Sequence, residues 1–379
     1  MDNGKQVQGP VSFVRVLLKG LLLFALVNLL FAWWDPGGLG KLSAYNILFR
    51  GRERLPFGES PSQSYNLSLL DLDAMFASHK LDGLPKPATE YRVIVIGDSS
   101  VWGTLLRPEE TLAGQLDAAG LAACHGRQVR VYNLGYPTIS LFKDLMFLER
   151  AMDYEPDLIV WPMTLEAFPL DKQLTSPIVS YNAETARALI EKYGLSLDVH
   201  DPALVEAGFW QGTIIGQRRN LADLIRLQLY GVMWAATGID QVYPSDYTPA
   251  QVDFDPDESF HDFEPPVLDG SQLAFEIIAT GLQAAGGTPV LIVNEPMLVS
   301  TGQNSDLRYN FYYPRWAYDQ YRQMMAEHSA QGGWTYLDLW DIVPNNEFTN
   351  SAIHMTPVGE GYMVGQVGTN ILEKACEAR

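Results

Sequence analysis

The chain has 379 residues, of which 47% are hydrophobic, and a formal net charge of −19. This length holds one large domain with an insertion, or two domains, and the apolar content excludes a chain too polar to build a core. The negative charge argues against a phosphate-neutralising surface, so no nucleic-acid partner is expected, and it disfavours a strongly anionic polymer as a tightly held ligand.

Residues 1–10 read as a short tail and residues 11–34 as a membrane anchor. Gly20 to Trp34 carries no charge, and Arg15 and Lys19 sit just before it, four apart on one helical face. From about Val16, roughly 19 residues rising about 1.5 Å each match the ~30 Å hydrocarbon core of a bilayer. Trp33 and Trp34 fit an interfacial anchor, and Asp35-Pro36-Gly37-Gly38 ends the helix. A cleaved signal peptide is the competing reading, but the bulky tryptophans replace its small-residue cleavage site. Lys5, Arg15 and Lys19 precede the span while Lys41, Arg50, Arg52 and Arg54 follow it, so loop charge does not set the orientation.

Residues 35–90 read as a juxtamembrane connector. Its run Arg50-Gly51-Arg52-Glu53-Arg54 is either a headgroup contact or a solvated loop, and residues 65–79 carry apolar side chains at helical spacing. The main domain is expected over residues 91–376. Arg92 leads into Val93 to Ile96, four β-branched residues that predict a buried parallel strand. Gly97 ends the run, and Asp98, Ser99 and Ser100 occupy the turn. Pro108 opens a helical pattern to Leu116, with Glu109 and Glu110 in its first turn. Such a unit presents a side chain at the carboxyl end of a sheet, where open α/β folds hold ligands. Ser99 is the candidate nucleophile, and Asp98 reads as a residue that bonds the turn.

Further strands are predicted at residues 129–132, 157–161, 289–293 and 334–339, with helices at 140–154, 318–328 and 359–376. This alternation predicts an α/β fold, a parallel sheet of five strands with helices on both faces. Residues 168–287 interrupt the rhythm as a long insertion, with helical patterns at 183–193 and 220–237. The second is strongly apolar, but Arg218, Asp223 and Arg226 argue against a second span. It reads as a core helix of a cap, as a helix lying on the bilayer, or as one gripping a partner helix. Residues 253–266 are acidic and read as a surface loop. Cys124 and Cys376 form one disulfide or remain buried thiols. No metal-ligand cluster or nucleotide-binding glycine fingerprint stands out, so neither metal nor cofactor is expected.

Three blocks carry the chemistry: Gly97-Asp98-Ser99-Ser100, Asn133-Leu134-Gly135 and Ile353-His354-Met355-Thr356-Pro357. In this order they resemble the SGNH, or GDSL-type, hydrolase superfamily, over residues 91–369 without the insertion. The resemblance implies a flavodoxin-like sheet, Ser99 as nucleophile, Gly135 as an oxyanion-hole glycine and His354 as the catalytic base. The chemistry is coherent: a serine hydroxyl needs a neighbouring base, imidazole titrates near neutrality, and the oxyanion needs preset donors such as the N–H groups of Ser99 and Gly135.

Two positions depart from the superfamily pattern. Glu166 stands where an oxyanion-donating Asn is usual, so Thr164 becomes an alternative donor. Ser351, preceded by Asn350, stands where an Asp usually orients the histidine. Glu347, Asp341 or Glu166 are substitutes, or a Ser–His dyad operates, and Asn133 is a further pocket candidate. The resemblance implies a serine esterase or O-acyltransferase acting through acyl-Ser99 on an extracytoplasmic acyl ester of a surface glycan or lipid. The anchor-plus-domain plan is similar to that of teichoic-acid D-alanylation accessory proteins. It implies a multispanning membrane O-acyltransferase as partner, a cytoplasmic amino terminus and an extracytoplasmic domain in the cell membrane. The alternative is an inactive binding or assembly subunit of a membrane complex.

Overall fold

The computed structural model describes residues 12–34, 51–57, 72–206, 208–239 and 246–377. The tail at 1–10, the helix stop at 35–38, Lys41, Arg50 and the first part of the helix expected at 65–79 lie outside them. Five strands form the sheet: β1 (Glu90–Gly97), β2 (Gln128–Gly135), β3 (Leu158–Met163), β4 (Val290–Asn294) and β5 (Thr335–Asp338). All neighbours are parallel, in the order β2-β1-β3-β4-β5. The order reverses at β1, so a topological switch point opens at the carboxyl ends of β1 and β3.

The helices are α1 (Phe13–Trp33), α2 (Leu72–Phe76), α3 (Ser99–Trp102), α4 (Leu112–Ala118), α5 (Leu141–Ala151), α6 (Pro177–Ser180), α7 (Ala183–Tyr193), α8 (Arg218–Arg226), α9 (Val232–Thr237), α10 (Phe275–Ala284), α11 (Arg315–Gly332) and α12 (Pro357–Glu377). Alternate residues of each strand face opposite layers, as the pleat requires. Ile94, Ile96, Ile159, Trp161 and Ile292 join the core that includes residues of α5, α7, α10 and α11. Val93, Val95, Val160, Leu291 and Val293 join the core that includes residues of α4 and α12. Strands buried on both faces explain why the sequence shows continuous apolar runs rather than alternation.

α1 has 21 residues and is, among the described residues, the one helix long and apolar enough to cross a membrane. The basic run after it differs from both expectations. Arg54 is buried, and its Nη1 donates to the carbonyls of Trp102, Gly103 and Leu106 at 3.1, 2.8 and 3.0 Å. Arg52 is buried as well. The Arg54 guanidinium answers polar groups at the end of α3, and burial keeps both side chains from being headgroup contacts or solvated loop charges.

The insertion also differs in detail. α10 falls inside the span expected as insertion, yet it packs on α5 and serves as a sheet-covering helix before β4. Residues 253–266 are more than a surface loop, because Phe254 and Phe260 are buried. Cys124 and Cys376 form a disulfide across 252 residues, tying the end of α12 to the loop before β2.

Glu360 is buried in the first turn of α12 and accepts a hydrogen bond from the Leu112 N–H of α4. Burial raises its carboxyl pKa to about 8. The folded protein therefore holds a proton there that the unfolded chain releases, and stability is lost as pH rises from about 4.5 to about 8. Glu360→Gln should remove this loss: its unfolding free energy should match the parent's near pH 4 and exceed it at pH 9 by on the order of 4 kcal/mol, with a correspondingly higher thermal midpoint at pH 9. Equal midpoints at pH 9 would show that the carboxyl ionises without strain.

Candidate active site

Ser99 opens the short helix α3 at the carboxyl end of β1. Gly97 turns the chain at φ +154°, and a Cβ there would lie 2.6 Å from Val101 Cγ2, so only glycine fits. Asp98 caps the turn, its Oδ1 accepting from the Ser100 N–H at 2.8 Å, as expected of a residue that bonds this loop. Ser99 is half-buried, and among the described residues no acceptor meets its N–H.

His354 arrives from the opposite end of the chain on a hairpin before α12. Thr349 N–H donates to the His354 carbonyl at 2.8 Å, and Phe348 pairs with Met355. This hairpin aims the ring so that Nε2 lies 2.8 Å from Ser99 Oγ. Nδ1 lies 2.8 Å from Asn350 Oδ1. An amide oxygen can only accept, so Nδ1 carries the proton and Nε2 presents its lone pair to the serine. Burial lowers the His354 pKa to about 4, leaving the ring neutral at pH 7. The arrangement is a serine hydroxyl hydrogen-bonded to a neutral base whose tautomer is set by a third residue.

The orienter is thus Asn350, not the residue at the usual position nor any of the acidic substitutes. Ser351 is buried beside Tyr312. Glu347 accepts from the Thr356 hydroxyl, and Glu166 pairs with Lys172 and with His261 Nε2 at 3.0 Å. Burial raises the Glu166 pKa, but the His261 hydrogen bond and the Lys172 charge outweigh it and hold the carboxyl below its ordinary range. Glu166 is therefore an ionised, paired wall of the cleft rather than a protonated donor.

Three other expectations are corrected. The Gly135 N–H donates to Asn133 Oδ1 at 2.9 Å and is not free for an oxyanion. Glycine is needed there for packing, since a Cβ would lie 2.5 Å from the Trp102 backbone nitrogen. Asn133 neither orients the histidine nor lines the cleft; its Nδ2 donates to the Val101 carbonyl at 2.7 Å and fastens β2 to α3. Thr164 is fully buried, and its hydroxyl is 2.8 Å from the Tyr313 phenol.

A cleft of about 390 Å³ opens beside Ser99, walled by Thr138, Ile139, Glu166, Lys172, Ser176 and Tyr312 among others. Among the described residues no acceptor meets the Ile139 N–H, so the loop after β2 supplies a free amide four residues beyond Gly135. Beneath this floor lies Lys143, fully buried on α5. Its Nζ donates to the carbonyls of Gly97 at 2.6 Å and Tyr136 at 3.2 Å and pairs with Asp144 Oδ1 at 2.5 Å. Sequence reasoning missed it, although a Lys-Asp pair inside an apolar helical stripe was the available signal.

Solved structures similar to the chain include a lipolytic G-D-S-L family protein from Veillonella parvula, with 10% identity, 76% of this chain and 97% of that one covered, and a TM-score of 0.31. An aryl esterase from M. smegmatis has 12% identity, coverage of 74% and 98%, and a TM-score of 0.34. A carbohydrate acetylesterase family member from Sinorhizobium meliloti has 13% identity, coverage of 74% and 99%, and a TM-score of 0.32. No protein-family model matches the sequence, and no curated protein matches it.

Lys143→Met should destabilise the detergent-solubilised chain by about 3–5 kcal/mol, because Asp144 and two carbonyls would lose a buried cation. A thermal midpoint equal to the parent's would show that the clamp contributes nothing.

Proposed function

We propose that this chain is a membrane-anchored serine esterase or O-acyltransferase of the SGNH type. The observation that carries this reading is the contact of His354 Nε2 with Ser99 Oγ at 2.8 Å, with Asn350 Oδ1 at 2.8 Å behind Nδ1. Ser99 Oγ attacks the carbonyl carbon of an ester as its proton passes to Nε2. The tetrahedral intermediate then expels the alkoxide, which takes that proton, and acyl-Ser99 remains. Water, or a glycan hydroxyl in a transferase, attacks the acyl carbon as its proton passes to Nε2; the acyl–Oγ bond then breaks, and Ser99 Oγ takes that proton back. The oxyanion finds its donors at the Ser99 and Ile139 amides, in place of Gly135.

The size and polarity of the cleft support a short acyl chain on a hydroxylated carrier. The disulfide supports an oxidising compartment, and with α1 as anchor the domain faces away from the cytoplasm. A multispanning acyl donor partner remains part of the transferase version of this reading.

A fluorophosphonate probe should label the wild-type chain and not Ser99→Ala. An unlabelled, well-folded wild type, together with full biological function in Ser99→Ala, would sink the enzyme reading and leave a binding subunit.

The pH profile tests the same base. Burial depresses the His354 pKa to about 4, so the acid limb of kcat/KM should fall near pH 4 rather than near 6.5. In Asn350→Asp a carboxylate beside Nδ1 favours the imidazolium. That limb should move to higher pH, and kcat at pH 7 should rise by about tenfold or more. An unmoved limb would show that Asn350 does not act on the ring.

A further inference from the structure

α1 contains one buried residue, Asn28. An amide side chain inside an apolar span needs partners, because hydrocarbon offers none. Asn28 Nδ2 donates to the Phe24 carbonyl at 2.9 Å, within the helix. Its Oδ1 accepts from the Ile215 N–H at 3.3 Å, which belongs to the insertion. One turn further along α1, Gly212 packs against Ala32, where a Cβ would lie 3.6 Å from the Ala32 carbonyl oxygen. The insertion thus follows α1 inward, from Ala32 at Gly212 to Asn28 at Ile215. Asn28 lies five residues before Trp33, about 7.5 Å inside that end of the helix.

The segment tied there is apolar and exposed. Trp210, Ile215, Ile225, Leu229 and Met233 are between 51% and 77% exposed. α8 and α9 follow directly, joined by the wide turn Leu227–Gly231. In a chain of net charge −19, residues 208–239 carry three arginines, Arg218, Arg219 and Arg226, against one aspartate, Asp223. Apolar side chains together with arginines at the end of a span match the interfacial layer of a bilayer, where the stems enter lipid and the guanidiniums reach phosphate.

We propose that residues 208–239 are a second membrane contact, docked into the lipid interface beside α1. The proposal rests on reading α1 as a membrane span. It goes beyond the esterase reading in giving the domain two attachments. A single helix leaves the domain free to swivel, whereas two fix its height and tilt. The segment precedes the 253–266 stretch, whose His261 meets Glu166 at the cleft, so the membrane contact and the cleft wall belong to one insertion.

The test uses the full chain in nanodiscs containing anionic phospholipid. Its two native cysteines are joined in a disulfide, so single-cysteine labels are specific. An environment-sensitive fluorophore is placed at Met233→Cys, at Phe24→Cys within α1, and at Val267→Cys as a water-facing reference. Lipids with a nitroxide near the top of the acyl chain should quench the label at 233, and lipids with one near its end the label at 24, each at least about threefold more than the label at 267. Aqueous iodide should show the reverse. Quenching by lipid at 24 but by iodide at 233 would overturn the proposal and leave this face to a protein partner, with the anchor intact. Iodide quenching at both sites would overturn the anchor as well.

Discussion

The ammonium of Lys143 holds the site together from below. It is withdrawn entirely from water and bridges the carbonyls of Gly97 and Tyr136. Those carbonyls belong to the two loops that leave the neighbouring strands β1 and β2, which pair at Gly97 and Gly135. One cation thereby sets the distance between the turn that carries Ser99 and the loop that carries Ile139. Asn133 makes the same connection from the side, and Arg54 closes the far end of α3. The serine stands on a floor of buried hydrogen bonds, so its position owes little to the serine itself.

The same floor is unusually acidic. Asp98, Asp144 and Glu295 are all buried close enough to influence one another. Burial raises each of the three carboxyl pKa values, and for Glu295 the negative charge of Asp98 adds to the rise. The Ser100 hydroxyl donates to Glu295 directly behind the candidate nucleophile. With Lys143 as the adjacent cation, the network is stable when part of its carboxyl set stays protonated. These three buried carboxyls thus hold their protons more tightly than exposed ones, while Glu166 at the cleft is paired with Lys172 and His261.

The insertion touches both α1 and the wall of the cleft. It leaves the sheet after β3, meets α1 at Asn28 and returns past His261 to α10. The disulfide between Cys124 and Cys376 fixes α12 at the opposite edge, beside β2. The His354 hairpin lies just before the other end of α12, whose first turn is buried at Gly359 and Glu360. Ser99 and His354 are 255 positions apart yet share one hydrogen bond, because each ends a segment that the parallel sheet sends to the same rim.

Strands, helices and the nucleophile turn were legible because they depend on local properties. Residues 93–96 must be buried wherever they lie and Gly97 alone tolerates its turn, whereas the helix expected from Pro108 divides into a 3-10 turn at Pro108–Glu110 and α4, which Thr111 caps. The pairing of Ser99 with His354 was legible from the order of the blocks. Other features depend on which donors and acceptors meet in space, and spacing along the chain does not encode that. Gly135 holds its place through close packing while Asn133 occupies its N–H. Asn350 orients the ring because the hairpin brings its amide, rather than Ser351, to Nδ1. Thr164 turns to Tyr313, and Arg54 turns inward to carbonyls that no membrane-side reading could foresee. The sequence by itself determined the elements, because burial and backbone sterics act residue by residue, and the order of its three blocks pointed to Ser99 and His354 through the resemblance they carry. The tertiary structure decided the orienter, the free amides and the contact between Asn28 and the insertion, because hydrogen bonds are assigned only once distant segments are packed together.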